Sequence, residues 1–306
     1  MNIIIVLNYN DKETTSDFLK KIMSYESLDK IVVVDNLSSD NSFQELKKFE
    51  SAKVDVIQTD KNRGYGAGNN FGVKYAEKKY FPTNIIISNP DIEISDNSID
   101  NMISFLNTNK DSTLVTGLIL DKTKNVTNHY AWKLPTYKNF ILNLSVILSK
   151  LFHKIKVGNR YSIKDIKKSD ILEVDVVQGC FFIIKAKDFK NVNYFDEETF
   201  LYHEENILAF KLKEKGMKTF VLTNEPIIHQ HGQSIRKTLD SSNKRKKIEY
   251  DSALIYLKKY QKISKFEETF YSILWKIFRY ENYIVERAKA IKDNIILSRM
   301  EKREDI

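Results

Sequence analysis

Ile85, Ile86 and Ile87 run directly into Ser88, Asn89, Pro90 and Asp91. Three branched apolar residues in a row suit a strand buried on both faces, as in the interior of a parallel sheet. Proline lacks the N–H that a central strand must donate, so the chain leaves the sheet at Pro90. Asp91, with Asn89 beside it, is thereby delivered to the carboxyl end of a strand. Open α/β sheets bind ligands at that edge. A carboxylate there suits Mg2+ or Mn2+ bridging to phosphates. Read alone, Asn-Pro-Asp also fits an ordinary turn. Glu93 is expected to point into solvent.

The residues before and after repeat the alternation. Ile3–Leu7, Ile31–Val34, Val54–Ile57 and Leu114–Leu120 read as further strands. Between them, helical faces carry Phe18, Leu19, Ile22 and Met23; Phe43, Leu46 and Phe49; Phe71, Val73, Tyr75 and Ala76; and Ile99, Met102, Ile103 and Leu106. Strand and helix in alternation predict a doubly wound, mostly parallel α/β sheet. Ser38 or Ser39 is predicted to cap the helix after the second strand. Ile171–Lys185 reads as two strands around Gln178 and Gly179, Glu204–Lys215 as a helix, and Asn243 onward as two or three long helices. The apolar stretch Asn139–Phe152 predicts a core helix or a surface helix at a membrane interface, with the surface helix favoured.

A core is affordable in 306 residues that are 42% hydrophobic. The single cysteine, Cys180, excludes an internal disulfide and points to a reducing compartment. No basic leader precedes Ile3, so no signal peptide is expected. No apolar run reaches the roughly 20 residues of a membrane span. The formal charge of +8 includes the run Lys244, Arg245, Lys246 and Lys247. Such a balance suits anionic lipid, nucleic acid or a nucleotide substrate. Nothing resembles a zinc finger, an RNA-binding aromatic motif or a leucine zipper, so nucleic acid is not expected.

Four more segments carry chemistry. Asp35 ends the second strand, where its carboxylate can accept from a nucleobase imide or a ribose hydroxyl. Asn62-Arg63-Gly64-Tyr65-Gly66-Ala67-Gly68-Asn69-Asn70 sets three glycines before a helix, which lets backbone approach a phosphate. It matches neither the dinucleotide fingerprint nor a Walker loop. Glu204 and Glu205 open a helix; acidic residues are favoured there by the dipole, and either carboxylate could serve as a general base. His229 and His231 share one side of an extended segment, where one could complete a metal's ligands.

In this order the segments resemble the family 2 inverting glycosyltransferases, in particular their bacterial rhamnosyltransferase-like branch. The resemblance runs from Met1 to about Ser234 through Asn8-Tyr9-Asn10, Asp35-Asn36, Asn62 to Gly72, Asn89-Pro90-Asp91, Gly179-Cys180, Phe195-Asp196-Glu197, Tyr202 to Glu205, and His229 to Ser234. Two departures stand out: Asn89 replaces an aspartate, and Glu205 replaces the family's catalytic aspartate.

The resemblance implies a GT-A fold: a Rossmann-like, mostly parallel sheet flanked by helices, with a C-terminal helical extension. Residues 1–240 would form the catalytic domain and 241–306 a basic helical region serving membrane association or dimerisation. Asn8, Tyr9, Asn10, Asp35, Asn62, Arg63, Gly64, Gly68, Asn69 and Asn89 would bind the donor nucleotide. Asp91 and His229 would hold Mn2+ or Mg2+. Glu205, with Glu204 as alternative, would be the catalytic base. Gln178, Gly179, Tyr202 and His231 would face the sugar or acceptor. The implied reaction moves a sugar from dTDP-rhamnose or a UDP-hexose to a hydroxyl of a growing, lipid-linked glycan of the bacterial cell surface. The enzyme would be cytoplasmic, at the inner face of the plasma membrane. The rival readings are a sugar-nucleotide nucleotidyltransferase and a non-catalytic nucleotide-binding scaffold. Residues 8–20 hold no glycine, which argues against the first.

Overall fold

The isoleucine and valine runs form the middle of one sheet because nothing else in the chain can bury both of their faces. A computed structural model describes residues 1–127, 129–145, 160–166, 168–230, 242–281 and 284. β1 (Asn2–Asn8), α1 (Lys12–Ile22), β2 (Lys30–Asp35), α2 (Ser42–Lys47), β3 (Val54–Gln58), α3 (Tyr65–Tyr80) and β4 (Asn84–Ser88) alternate first. β5 (Ile92–Glu93), α4 (Asp96–Thr108), β6 (Ser112–Leu120), β7 (Ala131–Trp132) and α5 (Tyr137–Leu144) follow. Then come α6 (Ile163–Ile166), β8 (Ile171–Val174), β9 (Val176–Val177), β10 (Phe181–Lys185), α7 (Ala186–Asn191), α8 (Glu204–Glu214), β11 (Lys218–His229) and α9 (Ser242–Ile255).

Among the described residues, nine strands make one sheet in the order β3-β2-β1-β4-β10-β6-β11, with β5 and β8 both on β11. β1, β2, β3 and β4 run parallel, and β10 is inserted antiparallel between β4 and β6. Ile3 to Val6, Ile31 to Val34 and Ile85 to Ile87 are fully buried. Helices cover the sheet through their apolar faces: Phe18, Leu19 and Ile22 of α1, and Ile99, Met102, Ile103 and Leu106 of α4. α4 starts cleanly because Ser95 accepts from the Ser98 amide at 3.0 Å.

The chain leaves β1 toward β2 and β3 on one side and returns to β4 on the other. This reversal of strand order opens a crevice at the carboxyl ends of β1, β2 and β4. β11 closes the other flank. Its register with β6 jumps from Leu222–Gly117 to Pro226–Leu118, so three residues bulge out. Gly117 permits that bulge: a Cβ there would lie 2.2 Å from the Glu225 carbonyl oxygen.

Several local expectations are corrected. α2 begins at Ser42, so neither Ser38 nor Ser39 caps it. Three strands, not two, occupy Ile171–Lys185. α3 begins at Tyr65 and takes Gly66 and Gly68 into its first turns. Phe71 of α3 is exposed while Val73 and Ala76 are buried. Of the apolar stretch Asn139–Phe152, Phe140 is buried, and 146–152 lie outside the described residues.

The chain divides into two compact units, Met1–Leu134 with Arg160–Tyr256, and Pro135–Asn159 with Leu257–Ile306. The first contains the sheet. In the second, α5 and the helix over 265–281 meet through Phe140 and Tyr271, edge to face at 6.4 Å. The Tyr137 hydroxyl also donates to the Glu267 carbonyl at 2.9 Å. Among the described residues, no helix is long and apolar enough to cross a membrane.

Candidate active site

The carboxyl ends of β1 and β2 meet in register, Asn8 opposite Asp35. Asp35 is fully buried and accepts from Asn8 Nδ2 at 2.8 Å and Ser38 Oγ at 2.6 Å on one oxygen. Its other oxygen accepts from the Ser38 amide at 3.0 Å and Gln58 Nε2 at 2.9 Å. Ser38 therefore organises the carboxylate, which explains why it does not cap α2. Its hydroxyl also accepts from the Asn10 amide at 2.9 Å, and the Asn10 side chain exchanges hydrogen bonds with Ser39. Tyr9 stands half-buried between Asn8 and Asn10.

Asn36 ties this corner to the start of α3. Its amide donates to Asn62 Oδ1 at 3.0 Å and to the Gly64 carbonyl at 3.2 Å. Gly64 has φ +99°, and a Cβ on it would sit 2.0 Å from the Phe200 carbonyl oxygen. A Cβ on Gly68 would lie 2.6 Å from Leu7, and one on Gly72 2.6 Å from Val34. The glycines let α3 press against β1, β2 and the segment before α8. On the Cβ side these glycines meet protein atoms. Asn69 donates to the Tyr65 carbonyl, and Asn70 brackets Phe195 by donating to its carbonyl and accepting from its amide. Arg63 faces Glu197 at 3.8 Å and Asp60 at 3.7 Å.

On the other side of the crevice, Pro90 turns the chain out of β4 and Asp91 follows, only 7% exposed. β11 runs antiparallel to β5 with His229 opposite Ile92, and the Gln230 amide donates to the Asp91 carbonyl at 3.0 Å. This pairing brings His229 Nε2 within 3.3 Å of Asp91 Oδ1. The approach is within ion-pair range but outside hydrogen-bond geometry, and Asp91 Oδ1 has no hydrogen-bond partner. Burial would lower the His229 pKa; Asp91 and Cys180 outweigh it and lift the imidazole to about 10. Glu93 points to the surface, its side chain 44% exposed, and accepts from Gln230 Nε2 at 2.7 Å. His231 lies outside the described residues.

The buried Asp91 oxygen without a hydrogen bond fits a hard divalent cation, and His229 could join it as a ligand once the cation displaces the imidazole proton. Among the described residues, no group of three or more His, Cys, Asp or Glu side chains could hold a metal. Asp91 and His229 would therefore supply a minority of the ligands, leaving the rest to water and phosphate, as Mg2+ sites commonly do.

The start of β10 joins this pair to the carboxylates of α8. The Asn89 amide donates to the Cys180 carbonyl at 2.7 Å, and Tyr65 Oη donates to the Gly179 carbonyl at 2.6 Å. Gln178 reaches sideways to the His129 carbonyl at 2.8 Å. Burial, then the neighbouring Cys180, Glu204 and Glu205, hold the Tyr65 phenol well above its ordinary range. Glu204 is buried, with Oε1 lacking a hydrogen bond, while Glu205 is half-buried. Burial raises the pKa of both, and Glu205 adds to the rise at Glu204. Tyr202 and His203, at φ +73° and +67°, turn the chain into α8 through two left-handed residues. Non-glycine residues hold that conformation only where the surroundings enforce it. Asn206, next after Glu205, accepts from Trp132 Nε1 at 2.7 Å and contacts His203 Nδ1 at 2.8 Å.

Sequence reasoning missed Ser38, Gln58, Tyr65, Trp132 and Asn206 as members of this neighbourhood. Ser38 was read as a cap and Tyr65 as part of the glycine segment, while sheet register and helix docking alone bring in Gln58, Trp132 and Asn206.

The fold and its edge define a glycosyltransferase of the GT-A type. The glycosyl transferase family 2 model matches residues 3–193, and the chain belongs to that family. It is 26% identical over 229 residues to rhamnosyltransferase WbbL of Escherichia coli K12, covering 74% of this chain and 82% of WbbL. GalNAc-T7, solved with UDP, GalNAc and Mn2+, superposes with a TM-score of 0.59 at 14% identity, over 85% of this chain and 49% of that one. The mannosyltransferase PcManGT of Pyrobaculum calidifontis, solved with GDP-Man and Mn2+, gives 0.52 at 12% identity, over 91% and 81%. The two structures share the fold.

Proposed function

We propose that this protein transfers a sugar from a nucleoside diphosphate sugar, dTDP-rhamnose or a UDP-hexose, to a hydroxyl of a growing bacterial cell-surface glycan, with inversion at C1. The supporting observation is the crevice itself. Electrostatic neighbours run from Asp91 and His229 through Cys180 and Tyr65 to Glu204 and Glu205, which supports reading them as one site. The name of WbbL supports a rhamnosyl donor. The nucleotides and Mn2+ bound by the two solved relatives support a nucleotide sugar and a divalent cation.

Asp91 and His229 would hold the cation, which when bound stabilises negative charge on the departing diphosphate. Glu205 takes the proton of the acceptor hydroxyl. The acceptor oxygen bonds to C1 as the C1–O bond to phosphate breaks, and its electron pair leaves with the nucleoside diphosphate. A carboxylate raised toward neutral pH is the stronger base for this step, provided it is ionised when substrate arrives. Asn8, Asp35, Asn10 and Asn62 shape the nucleoside corner; Gln178, Gly179 and Tyr202 stand toward the sugar and acceptor. The acceptor is lipid-linked, and the protein works at the inner face of the plasma membrane.

The test is a panel of nucleoside diphosphate sugars assayed for donor hydrolysis with Mn2+ or Mg2+. One donor should turn over well above the rest, and more slowly after chelation. Equal turnover with a chelator would remove the cation; no turnover with any donor, alongside nucleoside triphosphate consumption, would favour a nucleotidyltransferase.

A further inference from the structure

The helix over 265–281 has a second apolar face that is exposed among the described residues. Phe266, Phe270, Ile273, Ile277, Tyr280 and Ile284 follow one another at spacings of four and three, so they line one side of the helix. All are exposed, from 44% at Phe270 to 79% at Phe266. Tyr271, on the opposite side, is buried against Phe140. From Phe266 to Tyr280 the stripe runs about 21 Å at 1.5 Å per residue. A contiguous apolar surface of that length marks an interaction site.

The charges beside the stripe select its partner. Lys262, Lys265, Lys276 and Arg279 are exposed. The carboxylates of the same helix are only partly exposed and are engaged inside the unit. Glu267 accepts from Ser264 at 2.8 Å, Glu268 pairs with Lys258 at 2.9 Å and with Lys265 at 3.0 Å, and Glu281 accepts from Ser145 at 3.0 Å, so Lys262, Lys276 and Arg279 carry most of the basic margin. The exposed surface is thus apolar with a basic margin. A second copy meeting it across a two-fold axis would set that basic margin against itself. An anionic lipid surface complements both parts: aromatic and branched side chains enter the acyl boundary while lysine and arginine stay among the headgroups.

We propose that this face lies flat on an anionic membrane and holds the enzyme there. The inference deepens the membrane placement proposed above, and its test needs no glycosyl transfer, so either can fail alone. Purified full-length protein is floated with phosphatidylcholine vesicles and with mixed phosphatidylcholine–phosphatidylglycerol vesicles. Its oligomeric state is read by light scattering. The protein should float with the mixed vesicles and much less with phosphatidylcholine alone. The double variant Ile273→Asp/Ile277→Asp should lose about tenfold or more of that binding with its thermal midpoint unchanged, since both positions are exposed. Lys276→Glu with Arg279→Glu should weaken binding to mixed vesicles alone. Flotation unaffected by the double variant, or a wild-type dimer that the double variant splits without any flotation, overturns the proposal.

Discussion

Gln58 Nε2 donates to Asp35 Oδ2 at 2.9 Å, and this bond fills the last acceptor position of the carboxylate. A carboxylate offers about four lone-pair sites. Asn8, the Ser38 hydroxyl and the Ser38 amide occupy the others. Asp35 thus organises the crevice corner first, and an incoming nucleobase N–H must displace one of these donors. Asp35→Asn would turn an amide N–H2 toward donors in a buried site. It is expected to cost about 1–3 kcal/mol, read as a lower urea midpoint with an unchanged slope. An unchanged midpoint would show that the four hydrogen bonds organise nothing.

Asp91 carries a different prediction, because its Oδ1 lacks a hydrogen bond in the fold. Replacing it by alanine leaves the buried His229 imidazole without its facing carboxylate, so some stability is lost, and circular dichroism must show the fold intact before binding is read. Calorimetric titration with UDP and Mn2+ should then lose its metal-dependent heat. A titration like that of the wild type would remove Asp91 from the cation site.

Glu205→Gln keeps size and most contacts but cannot take a proton. Donor binding should match the wild type while transfer falls by about 10²–10⁴-fold. If Glu204→Gln shows that loss instead, the base is Glu204.

The Glu204 carboxyl also links stability to pH. Burial, then the neighbouring Glu205, raise its folded-state pKa from an ordinary 4.5 to about 8. The folded protein therefore holds a proton that the unfolded chain has released. Stability is fully present below the unfolded value and declines as pH rises through the folded one. Glutamine mimics the neutral acid, so Glu204→Gln should flatten that decline. Between pH 5 and pH 8 the wild type should lose on the order of 1 kcal/mol or more relative to the variant, by urea denaturation. Parallel curves would mean that Glu204 stays ionised in the fold.

Much of this was legible in the sequence where burial alone decides. The isoleucine and valine runs became the central strands, and Pro90 did deliver Asp91 to a strand edge, because both follow from local backbone chemistry. The antiparallel insertion of β10 was not legible: it depends on which distant strand β4 accepts, and no local pattern encodes that. Before His229, β11 was left unassigned; its length depends on a three-residue bulge that Gly117 makes possible. The glycines after Asn62 were placed before a helix, whereas two of them lie inside it. Close packing overrode propensity and drew Gly66 and Gly68 into α3.

Those glycines give the sharpest contrast in stability. Gly64 has φ +99°, and an added Cβ would lie 2.0 Å from the Phe200 carbonyl oxygen, to which the Tyr65 amide donates at 2.9 Å. Gly216 also has a positive φ, +67°, but nothing lies within 4 Å of its Cβ position. Alanine at Gly216 therefore meets backbone strain alone, about 1 kcal/mol. Alanine at Gly64 meets strain and a clash with backbone that cannot rotate away, together on the order of 3 kcal/mol or more. The clash pushes on Phe200, four residues before Glu204, so transfer should fall with stability in Gly64→Ala and not in Gly216→Ala. Urea denaturation and donor turnover on both variants check this. Equal losses at the two sites would mean that the approach of α3 to Phe200 is not what places the α8 carboxylates.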